Sequence, residues 1–259
     1  NGGNTYVKTR EILLQYFDLV AIAEFGSGTF GKTGTNTVTL FLRRKETAPD
    51  TAEHYRERVA QWFDSDDNQP VYQDAHLIDQ YTAHIGIPAD DYKTLLQGDP
   101  NGPWAKGAVF EEYVKKFNAS AEVDRLYRVG WFKKLSEVEQ LHEVDKRFLA
   151  YVQGIERDKL YHFVMASDQP NPVLVIRGPS ESKAHKLFLG YDWSSAKGDE
   201  GIKLIKDAHG HHLTLLYDET NRDNTAKLNR LIADNFDGRL TEIPEALSGY
   251  ASLARLVDM

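Results

Sequence analysis

The chain has 259 residues, with 31 Lys and Arg against 39 Asp and Glu, a net charge of -8, and 41% hydrophobic and 11% aromatic residues. That size suits one large core or two modest ones, and the acidic balance argues against a surface that grips nucleic acid strongly by itself while leaving local basic patches open. The absence of cysteine excludes disulfides and thiolate metal sites, and no apolar run approaches the roughly 20 residues that cross a bilayer, so a cytoplasmic chain with no membrane association is expected.

In chain order, "TREILLQYF" places Ile12, Leu13, Tyr16 and Phe17 on one helical face, and the apolar run Leu19 to Phe25 reads as a buried strand. A helix feeding a buried strand suggests an α/β sheet. After a glycine-rich loop, "TVTLFL" alternates, with Val38, Leu40 and Leu42 on one side and Thr37, Thr39 and Phe41 on the other. Strand, loop and strand predict a hairpin.

The loop itself, Gly26 to Thr33, matches the phosphate-loop pattern G-x-x-x-x-G-K-[ST]. A phosphate loop works through the first turn of a helix that follows it, and here Gly34 and a β-branched run follow instead. The acidic, glycine-rich "EFGSG" also looks like the start of an S-adenosylmethionine site, whose turn likewise leads into a helix. The remaining reading is a hairpin whose glycines supply positive φ angles.

From Thr51 to about Ser167 the pattern is helical. Ala52, Tyr55, Val59, Trp62 and Phe63 form one stripe, Leu77, Ile78, Tyr81 and Ile85 a second, and Val109, Phe110, Tyr113, Val114 and Phe117 a third. Pro88 suits a helix start, and Gly98, Gly130 and Gly154 read as stops or breaks. Helical spacing recurs from Val138 through Phe148, Tyr151 and Ile155 to Leu160 and Phe163. Beyond Pro170, "PVLVIRG" reads as a strand, "KLFLGYDWSSAKGDEGI" as irregular chain, and "NTAKLNRLIADNF" and "PEALSGYASLARLVDM" as two closing helices. Residues 1–46, 47–168 and 169–259 are read as three parts.

Two separated stretches carry a family resemblance. "FGSGTFGKTGTNTVTLFLRR" is similar to the last part of the catalytic domain of adenine-N6 DNA methyltransferases, specifically the modification subunit of type I restriction-modification systems, with Phe30, Thr33, Gly34 and Thr37 at matching positions and Phe25-Gly26 where Leu-Pro is frequent. "KLYHFVMAS", "KLFLGYDWSSAKGDEGIK" and "LYDETNRDNTAKLNRLIADNF" resemble the C-terminal region of the same subunits. The resemblance implies an α/β remnant, a helix plus β-hairpin completing a methyltransferase sheet, followed by a mainly helical region and a small α+β C-terminal part. It implies a C-terminal portion of a longer subunit that uses S-adenosylmethionine to methylate a flipped adenine, with a specificity subunit, a restriction subunit and DNA as partners. The Asn/Asp-Pro-Pro-aromatic motif of such enzymes is missing, since no two of the nine prolines are adjacent. The fragment alone is therefore expected to be inactive and to bind no cofactor. The other readings are a phosphate-loop nucleotide-binding protein and a non-enzymatic helical interaction module.

Lys32, Thr33, Asn36 and Thr37 are candidate DNA contacts, because a polar loop at the end of a sheet can approach DNA closely; the alternative is a loop that bonds its own turn. Arg43 and Arg44, with Lys45, form a basic run suited to phosphate or to the solvated end of a strand. "HGHH", His209 to His212, offers imidazoles for a metal or an exposed turn, and His142-Glu143 lacks the second His of a zinc-protease helix. Trp193, Ser194, Ser195 and Lys197 suggest a DNA or subunit contact, unless Phe188, Tyr191 and Trp193 simply anchor a loop. Asp90-Asp91, Glu111-Glu112 and Asp64 with Asp66-Asp67 read as solvated acidic faces.

Overall fold

In the computed structural model, which describes residues 4–26, 29, 34–47, 50, 52–63 and 74–259, helix α1 (Asn4–Tyr16) passes without a linker into β1 (Phe17–Phe25). β1 pairs antiparallel with β2 (Thr37–Arg44), from Phe17↔Arg44 to Phe25↔Thr37, so the glycine loop joins two strands as its sequence suggested. On its other side β1 pairs in parallel with β3 (Val173–Arg177), from Ala21↔Leu174 to Glu24↔Arg177. β6 (Ala251–Ala254) lies antiparallel to β3, giving the order β2-β1-β3-β6. The pairing of β1 with β3 unites the first and last stretches of the chain, which the sequence had suggested as separate parts. The chain divides into a sheet unit, 1–49 with 169–259, and a helical unit, 50–168.

Small residues let the sheet pack closely. Ala21 and Ala23 are fully buried beside Leu174, Ile176, Phe188, Leu189, Leu228, Leu231 and Leu247, so that α9 (Leu228–Phe236) lies across β1 and β3. The register slips between Leu19 and Ala21, and a bulge leaves backbone groups without a ladder partner. Side-chain amides take them up: Asn235 Nδ2 donates to the Val20 and Pro172 carbonyls, and the Gln169 amide both accepts from Leu19 N–H and donates to Leu19 C=O. The opposite face of the sheet is more open. Val38 and Leu40 on β2 are 57% and 43% exposed, beside half-buried Ile22.

In the helical unit, α2 (Ala52–Phe63), α3 (Ala75–Ile85), α4 (Ala89–Leu96), α5 (Glu111–Asn118) and α6 (Ala121–Leu126) accompany α7 (Glu137–Ser167). The stripes read from sequence supply its core, with Tyr55, Val59, Trp62, Leu77, Ile78, Tyr81, Phe110, Tyr113 and Phe117 buried. Ser136 and Glu139 form a reciprocal capping box that starts α7. No helix among the described residues is long and apolar enough to cross a membrane.

Several local expectations are corrected. Gly154 does not break a helix: α7 runs through it for 31 residues, and a glycine's helix penalty of about 1 kcal/mol is outweighed by the packing of Val152, Leu160 and Val164. Ile12 and Tyr16 are 53% and 45% exposed, because the chain turns to strand at Phe17 and the inward positions of α1 fall to Gln15 and half-buried Leu13 and Leu14. The stretch read as irregular contains the end of α8 (Ser182–Leu189) and a hairpin of β4 (Tyr191–Ser194) with β5 (Gly201–Leu204). Gly190, at φ +81°, makes that switch from helix to strand, where a Cβ would lie 2.5 Å from His212, Leu213 and Thr214 atoms. The last stretch forms no long helix. Gly249 and Tyr250 separate a single turn at Glu245–Leu247 from β6, where pairing with β3 overrides the helical spacing.

Candidate functional site

The carboxyl ends of the parallel strands β1 and β3 open into a cleft of about 740 Å³. Adjacent parallel strands commonly place ligands there, because their connections leave in different directions, and the size lies within the roughly 300–1,000 Å³ of ligand pockets. β1 contributes Glu24 and Phe25, followed by Gly26; β2 contributes Thr37 and Val38, preceded by Asn36; β3 contributes Arg177, followed by Gly178. α8 supplies His185 and Lys186, and β4 supplies Tyr191, Asp192 and Trp193.

His185 is placed by its helix. Glu181 caps α8 by accepting from the Lys183 and Ala184 N–H groups, which hold its carboxyl below the usual range. His185, Phe188 and Leu189 then fall on the inward face, and the imidazole stacks on the Phe188 ring at 6.4 Å. Gly178 and Gly26 lie against the same imidazole. A Cβ at Gly178 would sit 3.3 Å from Nδ1, and one at Gly26 3.5 Å from Cε1.

The hydrogen bonds favour one arrangement of the imidazole protons. Thr29 Oγ1 donates to the Gly26 carbonyl at 2.8 Å, so its contact of 3.2 Å with His185 Nε2 requires the nitrogen to donate. In the neutral ring with its proton on Nε2, Nδ1 carries the lone pair, buried and without a partner among the described residues. Thr37 Oγ1 is also buried and has no partner among the described residues, on the β2 side of the same cleft. Native proteins seldom leave such groups orphaned, since each costs about 1–3 kcal/mol. Two in one cleft give it a lining whose hydrogen-bonding capacity is unmet among the described residues, although neither atom is open to solvent in this arrangement.

Charge at the cleft is balanced. Arg177 pairs with Glu24 at 3.1 Å and Lys186 with Asp192 at 2.8 Å, all on exposed or half-exposed side chains. Tyr191 donates its hydroxyl to the Thr29 carbonyl, and burial raises its phenol above the usual value. Trp193 does not anchor a loop: it is 44% exposed at the cleft, whereas Phe188 is core. Among the described residues, no group of His, Asp and Glu is arranged to hold a metal. The histidines of "HGHH" serve a turn instead, with Asp207 accepting from the His209 and His211 N–H groups and His212 bridging Tyr217 and Gly190.

The candidate DNA contacts separate. Asn36 and Thr37 line the cleft, while Lys32 and Thr33 lie outside the described residues. Arg43 lies at the other end of β2, roughly 20 Å from Thr37 at the rise of a strand. It pairs with Asp18 at 3.1 Å and donates to the Phe236 carbonyl at 2.9 Å, and Lys45 donates to the Leu14 carbonyl. Arg44 is exposed. The basic run is largely engaged with its own protein and lies apart from the cleft that Asn36 and Thr37 line. The sequence reading had not singled out His185, Thr29, Gly178 or Arg177; the available signal was an imidazole at an inward helical position, four residues before Leu189.

The helical unit holds a contrasting polar cluster. Glu156 is 1% exposed and accepts from Tyr81 and Tyr92 on Oε2, at 2.7 and 2.9 Å, and from Tyr113 on Oε1 at 3.1 Å. Lys159 lies 3.4 Å from Oε1. Burial, then the neighbouring Glu156 charge, pushes the Tyr81 and Tyr92 phenols well above their ordinary value. Every oxygen is satisfied, which marks a structural knot. Compared with family models, curated proteins and solved structures, the chain matches none, so the sites are read from their own geometry.

Proposed function

We propose that this chain is a C-terminal portion of the modification subunit of a type I restriction-modification system, a cytoplasmic adenine-N6 DNA methyltransferase, and that it serves DNA clamping and subunit assembly. The observation that carries the reading is convergence. The glycine-loop stretch and "KLFLGYDW", the two resembling segments, lie more than 140 residues apart in sequence and line one cleft, Asn36 and Thr37 facing a site that also holds His185 and Trp193. The exposed Val38 and Leu40 of the edge strand suit a sheet that continues against further structure.

The phosphate-loop reading is less well supported, since Thr37 begins a strand and no helix N-terminus follows the pattern within Gly34–Arg44. The residues present do not fit S-adenosylmethionine either. Its glycine turn links a strand to a helix, whereas Gly26 leads toward β2, and the Pro-Pro motif is missing. On this reading cofactor and base chemistry belong to another part of the subunit, and the chain alone transfers no methyl group.

Fluorescence anisotropy with duplex DNA tests the reading. Asn36→Ala and Thr37→Val are expected to weaken binding several-fold each, with no loss of melting temperature. Titration with magnesium-ATP is expected to show no binding; binding that Lys32→Ala abolishes would establish the nucleotide reading instead.

A further inference from the structure

The helical unit carries a second surface, at the turn between α6 and α7. Arg125 to Ser136, "RLYRVGWFKKLS", contains four cations and no acid in a chain of net charge -8, although Asp124 and Glu137 bracket it. Arg125, Arg128, Lys133 and Lys134 are exposed and form no ion pair among the described residues. Between them stand two large exposed aromatics, Tyr127 at 51% and Trp131 at 48%.

The arrangement is rigid. Phe132 is 1% exposed and anchors the turn, with the Tyr127 and Trp131 rings meeting it edge-on at 5.1 and 5.7 Å, so both flank one buried ring. Backbone bonds from Arg128, Val129, Lys133 and Lys134 close successive turns, and Gln140 on α7 clamps the Phe132 and Leu135 carbonyls. Gly130 leaves the ground beside Trp131 clear, since a Cβ there meets nothing within 4 Å. Rigid aromatics lose little entropy on binding, and every nucleobase offers a π-face.

We propose that this turn binds single-stranded DNA, bases stacking on Trp131 and Tyr127 while Arg125, Arg128, Lys133 and Lys134 meet the phosphates. Charge complementarity selects a polyanion, and exposed flat rings select unpaired bases, because duplex bases are stacked on one another. The choice of DNA over RNA rests on the function proposed above; the surface itself does not.

The test is binding of labelled oligothymidine, oligouridine and duplex DNA to the full chain across a salt series. Trp131→Ala is expected to weaken oligothymidine binding about tenfold without changing the salt slope. Lys133→Ala with Lys134→Ala is expected to reduce that slope by about 1.4. All three side chains are exposed, and circular dichroism checks that the variants fold. As a second readout, in Trp193→Phe the only exposed indole is Trp131, since Trp62 and Trp104 are buried, and oligothymidine should quench it. No binding, equal binding by Trp131→Ala, or unquenched emission would overturn the proposal, as would Trp131-dependent binding that favours oligouridine or duplex. Magnesium-ATP binding lost in Lys32→Ala, with Trp131-dependent oligothymidine binding retained, would overturn the methyltransferase reading and leave the surface standing.

Discussion

Glu156 in the helical unit and His185 in the sheet unit are both buried polar side chains on inward helical faces, yet they are solvated by the protein in opposite ways. Three tyrosine hydroxyls and Lys159 surround the carboxylate, leaving neither oxygen empty. One threonine holds the imidazole by Nε2, and Nδ1 faces two glycines with no partner among the described residues. A saturated group is cemented into its fold, and removing it strands its donors. A half-satisfied group at a cleft costs the fold something and retains a valence for another molecule.

The largest effect is expected at Glu156. Glu156→Ala should destabilise the protein by about 3–5 kcal/mol in urea unfolding, because Tyr81, Tyr92 and Tyr113 lose their acceptor together. A cost below about 1 kcal/mol would show that the knot contributes little. Alkaline unfolding gives the next effect. The Tyr81 and Tyr92 phenols stay protonated in the fold at a pH where an unfolded tyrosine ionises, so their contribution is complete below about pH 10 and is lost as pH rises above it. Stability should fall there by about 1.4 kcal/mol per pH unit for each of the two, with their absorbance change delayed until unfolding.

Smaller changes sharpen the sheet-unit side. Gly178→Ala places a methyl 3.3 Å from Nδ1 and forces the ring aside by a few tenths of an ångström, an expected cost of about 1 kcal/mol by thermal melting. His185→Phe should fall within about 1 kcal/mol of the parent, since Thr29 keeps its bond to Gly26 and an unpaired nitrogen disappears. A large loss on His185→Phe would place the histidine with Glu156 as a structural group.

The sequence made local elements legible wherever one period held without competition. β-branched alternation in "TVTLFL" foretold β2 beside a glycine loop, and stripes such as Tyr55, Val59 and Trp62 foretold helix and core together. The end of the chain departs from its helical pattern because the spacing in "ASLARLV" is no match for the ladder that β3 offers, and strand partners are not written locally. Joining the first and last segments into one sheet likewise depended on a pairing across some 150 residues. Of the cleft, Asn36 and Thr37 were visible as a polar loop end, while Arg43 looked similar until Asp18 and Phe236 were seen to occupy it. Glu156 and His185 each left a trace, an ionisable residue at an inward spacing: Val152, Glu156, Leu160 and Val164 step by four. The trace says that such a group is buried; only its partners separate a satisfied residue from an open one.

The open valence of His185 is best read by long-range proton–nitrogen NMR of the imidazoles, assigned by loss of one signal pair in His185→Phe. A proton on Nε2 with bare Nδ1, shifting when duplex DNA is added, is the expected result. A proton on Nδ1, or an imidazole indifferent to DNA, would contradict the proposal that the cleft meets it.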